Sequence, residues 1–200
     1  GYADQSHFIA DFREFTGFTP RQLARAESSG SIRRVGAASE AAPFRDCCAD
    51  LITVSAAIHW FDRPRFYAEV RRVARPGAIL AVWSYYQTVI EPAIDAVLVR
   101  FADEVVGPFW GAGIELNRTA YRNLDFPFER LPWPELHAEG RMRLHDLFEY
   151  MRTWSASQAW ARTRGTDPVD IVPDALARAW GDPEMERLLR WPLHGAIGRV

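Results

Sequence analysis

Two unbroken apolar runs flank a single amphipathic stretch between residues 50 and 83, and this arrangement limits the fold more than any other feature of the chain. Leu51-Ile-Thr-Val-Ser55, introduced by Asp50, is short, continuous and rich in β-branched residues, the pattern of a strand covered on both faces. Residues 64–75 then place Phe66, Val70, Val73 and Ala74 on one helical face, with Pro64 at the start and Pro76-Gly77 as the stop. Ala78-Ile-Leu-Ala-Val-Trp83 is a second buried strand. Strand, helix and strand with short turns make a βαβ unit, which requires parallel pairing and a right-handed crossover. Downstream, Ile90, Ile94, Val97, Leu98, Phe101 and Val105 predict a long amphipathic helix. Further helices are expected over 144–154 and 171–180, with a closing strand over 193–200. The fold class is α/β.

Composition excludes several classes. With 24 basic and 26 acidic residues the net charge is −2, so the chain as a whole has no bulk attraction for nucleic acid or an anionic membrane. All the basic residues are Arg, which reads as coding bias. No apolar run approaches the ~20 residues of a membrane span. The two cysteines, Cys47 and Cys48, are adjacent and form no disulfide framework, so a reducing cytoplasm is the expected location. His145 and His194 stand in no metal-ligand spacing, and no metal is expected. The chain opens on Gly1 rather than Met, which points to a natural start further upstream.

Residues 1–25 carry a different pattern. Asp4 caps a helix on which Phe8, Phe12 and Phe15 share a face, Gly17 ends it, and Thr19-Pro20 opens a second short helix. Periodicity alone describes a small helix pair packed on something larger. Gly1, Asp4, Ser6, Phe8, Phe12, Gly17, Thr19, Pro20 and Arg25 also resemble the closing signature of AraC/XylS-type transcription regulators. That resemblance implies a recognition helix with Gln5, Ser6 and Arg13 toward DNA. The rest of such a module is missing, and with it the phosphate contacts that supply most affinity, so DNA is a partner only through this remnant. Residues 26–30 read as a linker, and Ile32 to Val35 as a short strand.

From residue 31 to the end the resemblance is to the class I S-adenosylmethionine-dependent methyltransferases, within a subgroup marked by an HWFD turn. It rests on Ser39-Glu40-Ala-Ala-Pro43-Phe44, on Asp50 to Asp62 (DLITVSAAIHWFD), and on Arg72 to Tyr85 (RVARPGAILAVWSY). It implies a truncated Rossmann-like sheet that lacks its first two strands, with a short helical appendage at the N-terminus. In that fold's strand numbering the remaining order is 4-5-7-6. The run at 51–55 is then an open edge, a known route to aggregation unless something covers it.

The same resemblance implies a methyl transfer from S-adenosylmethionine to a small-molecule acceptor, while the charge balance and the lack of a long apolar run leave no expected role for a membrane. It puts Ser39 and Glu40 in the loop beside adenine, and Ser55, Ala56 and Ala57 along the donor pocket. His59, Trp60 and Asp62 follow at the carboxyl end of the strand, where open α/β sheets place ligand contacts. His59 is a candidate general base or orienting group, or a structural histidine that sets the turn. Trp60, Trp83, Tyr85 and Tyr86 are candidate substrate-wall residues, with packing as the plain alternative. A Gly-x-Gly turn normally lets the backbone approach the donor closely. None stands between a strand and a helix here, so donor binding is expected to be weak or lost and the isolated chain inactive.

Overall fold

The computed structural model describes residues 37–200. The helix pair and DNA-facing residues Gln5, Ser6 and Arg13, the linker and the strand at 32–35 all lie outside the described residues.

Among the described residues five strands, β1 (Ala49–Ser55), β2 (Ala74–Tyr85), β3 (Glu129–Leu131), β4 (Leu136–Met142) and β5 (Arg187–Arg199), form one sheet in the order β1-β2-β5-β3, with β4 also against β5. β1 runs parallel to β2, and helix α1 (Arg63–Val73) connects them. β2 is antiparallel to β5, from Ile79 opposite Arg199 to Tyr85 opposite Leu193. β3 adds to the far side of β5. The first apolar run beside the second, and the second beside the closing strand, is the order that these described strands have in a Rossmann-like methyltransferase sheet.

By contact density the chain divides into two units. The first, among the described residues, comprises 37–86, 113–136 and 193–200. Its core lies on one face of β1 and β2, where Val54, Leu80 and Val82 meet Phe66, Tyr67 and Val70 of α1. Tyr121, Leu124 and Phe126 close the same cluster. Phe66 and Val70 are positions that the 3.6-residue period selects, and Val54, Leu80 and Val82 follow the two-residue period; Tyr121, Leu124 and Phe126 come from irregular chain. The opposite face of β2 carries Ala81 and Trp83, packed with Leu193, Trp133 and Leu136. A short helix, α3 (Ile114–Arg118), belongs to this unit.

The second unit comprises 87–112 and 137–192 among the described residues. It holds α2 (Pro92–Arg100), β4 (Leu136–Met142), α4 (Leu144–Thr153), α5 (Ser155–Arg164) and α6 (Pro173–Trp180). Trp180, Leu176, Leu147, Met151 and Trp191 are fully buried in it. Trp191 donates its indole N–H to the Tyr150 hydroxyl at 3.0 Å, which satisfies a polar atom that burial would otherwise orphan.

Several expectations need correction. Among the described residues β1 is covered on one face only: Val54 is buried, while Leu51 on the other face is 52% exposed. A continuous apolar run signals two covered faces only when a neighbour lies on each. The helix expected over 90–105 ends as an α-helix at Arg100 and continues through Phe101–Val105 as a wider π-turn. The closing strand begins at Arg187, well before 193, because Leu189 and Trp191 already alternate with exposed Arg190 and Pro192. α3, β3, β4 and α5 lie outside the elements that the sequence patterns predict. β4 shows the half-buried alternation clearly, with Ala138 and Met142 buried between exposed Glu139 and Arg141.

Candidate functional site at the carboxyl end of the first strand

β1 ends at Ser55, and Ala56 turns the chain in a left-handed conformation at φ +46°. That geometry is costly for a residue with a side chain and is held here by the Ala56 N–H on the Trp83 carbonyl at 2.8 Å. Residues Ile58–Trp60 then form one 3₁₀ turn, whose Ile58 side chain is fully buried as a plug in the core. Asp62 caps α1 by accepting from the Arg65 N–H at 3.3 Å, with a proline in the first turn. The stretch from Ser55 to Asp62 is thus strand exit, turn and helix cap in succession, with HWFD supplying the turn's end and the cap.

The loop before β1 is tied to this turn. Glu40 accepts from the Asp62 backbone N–H at 3.0 Å and from the Ser39 hydroxyl at 3.0 Å. Its own backbone N–H, then those two donors, hold its carboxyl below the usual range. Arg72, on the last turn of α1, reaches Glu69 at 2.5 Å, Asp46 at 2.6 Å and the carbonyls of Ala42 and Phe44 at 3.0 and 2.8 Å. Glu69 in turn accepts from the Ala42 N–H at 2.9 Å. One helix therefore anchors the whole 40–46 segment.

Between that segment, β1 and α1 lies an open, mainly apolar groove of about 570 Å³. Ser39, Ser55 and Ala57 line it together with Phe44, Ile52 and Phe61. Its size falls within the range of small-molecule sites. Of the five residues expected to border the donor, it brings three to one surface. Glu40 is engaged with Asp62 and Ser39, and Ala56 is exposed at the bend.

His59 is half-buried, its ring 5.0 Å from that of Trp60 and tilted by 50°. Its Nδ1 is withdrawn from solvent without a hydrogen-bond partner, and burial lowers its pKa, so the ring is neutral near pH 7. Gly113 passes so close that an added Cβ would sit 2.8 Å from His59 Cβ. The sequence gives no hint of this, because Gly113 lies far along the chain and its need for a bare Cα comes from the contact alone.

The four candidate wall residues are placed differently from one another. Trp60 is 67% exposed. Trp83 is buried in the cluster with Leu193 and Trp133, so its side chain is enclosed by protein. Tyr85 is half-buried on the same face of β2, packed against that cluster. Tyr86 accepts from Arg118 Nε at 3.1 Å, and Arg118 is also paired with Glu115 at 2.8 Å. Arg118 is thus a charged neighbour of the candidate wall that the sequence did not single out. Among the described residues there is no group of three or more potential metal ligands, and no helix is long and apolar enough to cross a membrane.

Known proteins share this arrangement. A family profile described as a methyltransferase domain matches residues 11–82, which takes in the Glu40 loop, β1, the HWFD turn and most of β2. A candidate methyltransferase of Dictyostelium discoideum is 26% identical over 174 residues, 84% of this chain and 66% of its own length. The chain thus spans just under two thirds of that relative. The structure of a candidate type II methyltransferase from Anaeromyxobacter dehalogenans superposes with a TM-score of 0.76 at 35% identity, covering 87% of this chain and 76% of that one. With a strand order, a site segment and a relative of that similarity in agreement, the chain belongs to the methyltransferase-domain family on a Rossmann-like fold.

Proposed function

We propose that the protein serves an S-adenosylmethionine-dependent methyl transfer to a small-molecule acceptor. The observation that carries this reading is the groove of about 570 Å³ that runs along β1 to its carboxyl end and gathers Ser39, Ser55 and Ala57. The described residues fit the nucleoside end of such a donor. Phe44, Ile52 and Phe61 offer an apolar slot for a purine, and the Ser39 and Ser55 hydroxyls lie at its margin. The carboxylates nearby are already committed, Glu40 to Asp62 and Ser39, and Glu69 to Arg72 and Ala42. Neither is available to grip a ribose.

When bound, the donor supplies an electrophilic methyl group on a sulfonium. The protein's part is to hold donor and acceptor in line and to exclude water from the gap. In this reading His59, neutral because burial lowers its pKa, takes a hydrogen bond from the acceptor on Nε2, since Nδ1 is withdrawn from solvent, and keeps the nucleophilic atom aimed at the methyl. Trp60 forms the outer wall. Donor affinity is lowered in this chain, since its sequence holds no Gly-x-Gly turn between a strand and a helix.

Titration of the full chain with S-adenosylmethionine in a calorimeter tests the proposal. Saturable heat, lost when Ser55 and Ala57 are replaced by bulky side chains, is the expected result. Silence at millimolar donor would overturn it. The regulator-like reading of residues 1–25 is tested separately by a DNA mobility shift at low salt.

A further inference from the structure

A second set of polar groups lies in the same unit, beside the groove's end of the sheet but outside the site described. Ser84 is the penultimate residue of β2, at its carboxyl end, and stands directly opposite His194 on β5. By the two-residue period both share the face of Leu80, Val82 and Ala196. On that face the Tyr121 ring meets the His194 ring edge-on, with centroids 5.1 Å apart and planes at 76°. Tyr121 and Ser84 are 1% and 2% exposed.

None of these groups has its polar needs met well. His194 Nε2 and the Tyr121 hydroxyl are both sealed from solvent without a hydrogen bond of good geometry. The Ser84 hydroxyl lies beside Tyr121 but donates to the Tyr85 carbonyl at 3.3 Å. Each orphaned polar atom costs on the order of 1–3 kcal/mol. The backbone here is strained as well: Ala120 and Tyr121 both take left-handed φ, +48° and +56°, in a segment with no glycine at either position. Two such residues in a row cost roughly 1 kcal/mol or more each and persist only where surrounding structure demands them. Tyr121, in this conformation, lies against His194. Strain and unmet polar groups at one spot, at the carboxyl end of a central strand, mark a ligand site more readily than a packing solution.

We propose that Tyr121 and His194, supported by Ser84, anchor the methyl acceptor by hydrogen-bonding an uncharged hydroxyl carried on an apolar body. This rests on the methyl-transfer reading only in calling the ligand an acceptor. Burial pushes the Tyr121 phenol up to about 12 and His194 down to about 4, so neither is charged near neutrality and a charged ligand group would find no counter-charge in the pair. Arg118, the cation of the adjoining helix, is held by Glu115 and Tyr86. A hydroxyl both donates and accepts, and so answers two orphans at once, which a carbonyl does not. Leu124, Phe126 and Ala196 supply the apolar surroundings for the remainder of the ligand.

Phenol is the probe. The full chain, labelled with ¹⁵N in its histidines, is titrated with phenol while the imidazole nitrogens are followed by NMR, and S-adenosylmethionine binding is measured separately. The expected result is a saturable movement of the His194 signal, with phenol affinity falling roughly fivefold to tenfold in Tyr121→Phe and in His194→Phe. Donor binding stays unchanged in both. Tyr121→Phe removes one oxygen and keeps the ring, so it serves if His194→Phe does not fold. A motionless His194 signal, or variants that bind phenol as the parent does, would overturn the anchor and leave the cluster as a site of internal water. Phenol binding without donor binding would retire the methyl-transfer reading and keep the anchor; the reverse pattern would do the opposite.

Discussion

Acidification should destabilise the protein through His194, and the size of the effect follows from where that ring sits. Burial against Tyr121 lowers its pKa from the ordinary 6.5 to about 4 in the folded chain. As pH falls through 6.5 the unfolded chain takes up a proton that the folded ring refuses. The stabilisation is therefore complete above pH 6.5, declines as pH drops, and is exhausted near pH 4. At full burial that gap corresponds to about 3 kcal/mol; the ring is partly exposed, so about half of that is the reasonable figure. His59, also lowered by burial, acts in the same direction. Glu40, Glu69 and Glu139 have lowered carboxyl pKa values, whose stabilisation is present above 4.5 and is lost only below it. The interval between about pH 6.5 and pH 5 thus belongs to the histidines. Urea unfolding of the sheet-bearing unit, followed through tryptophan fluorescence, measures it. The parent should lose about 1 kcal/mol more than His194→Phe across that interval. Equal losses in the two proteins would refute the assignment of the slope to His194.

Two glycine substitutions probe close approaches. Gly195→Ala drives a Cβ into the Val82 backbone carbonyl and to 2.8 Å from the Trp133 ring, in the centre of the β2–β5 ladder. The Val82 carbonyl cannot yield without breaking strand pairing, and the Trp133 ring must also move, so a stability loss of about 3 kcal/mol or more is expected in denaturant unfolding. Gly113→Ala places its Cβ 2.8 Å from His59 Cβ and 2.9 Å from Cδ2, which displaces the 3₁₀ turn. The expected outcome is a shifted His59 imidazole resonance and a stability loss of about 1–3 kcal/mol; an unchanged His59 signal would show that the turn is not held by this contact.

Much of the first unit was legible in local pattern. The apolar runs of β1 and β2, the period of Phe66 and Val70, and Pro64 just after the Asp62 cap each report the environment of residues a few positions apart. The alternation in β4, with Ala138 and Met142 buried and Glu139 and Arg141 exposed, is equally local. The site was legible only in part. Ser39, Ser55 and Ala57 were named from motif and do share one groove. Trp83 looked like a strand-exit residue available to a ligand, yet β5 and Trp133 cover that face.

Local pattern carried β1, α1, β2 and most of the later helices, since helix and strand periods and caps depend on near neighbours along the chain. Tertiary structure decided which distant residues meet. It brought Gly113 against His59, set the Glu40 carboxylate on the Asp62 N–H, and turned Tyr121 edge-on to His194. Such contacts join segments with no local correlation, and they exist only after the sheet has fixed its register and each strand has chosen a face. For that reason a half-buried histidine and a strained tyrosine, unremarkable as letters, became the most informative pair in the folded unit.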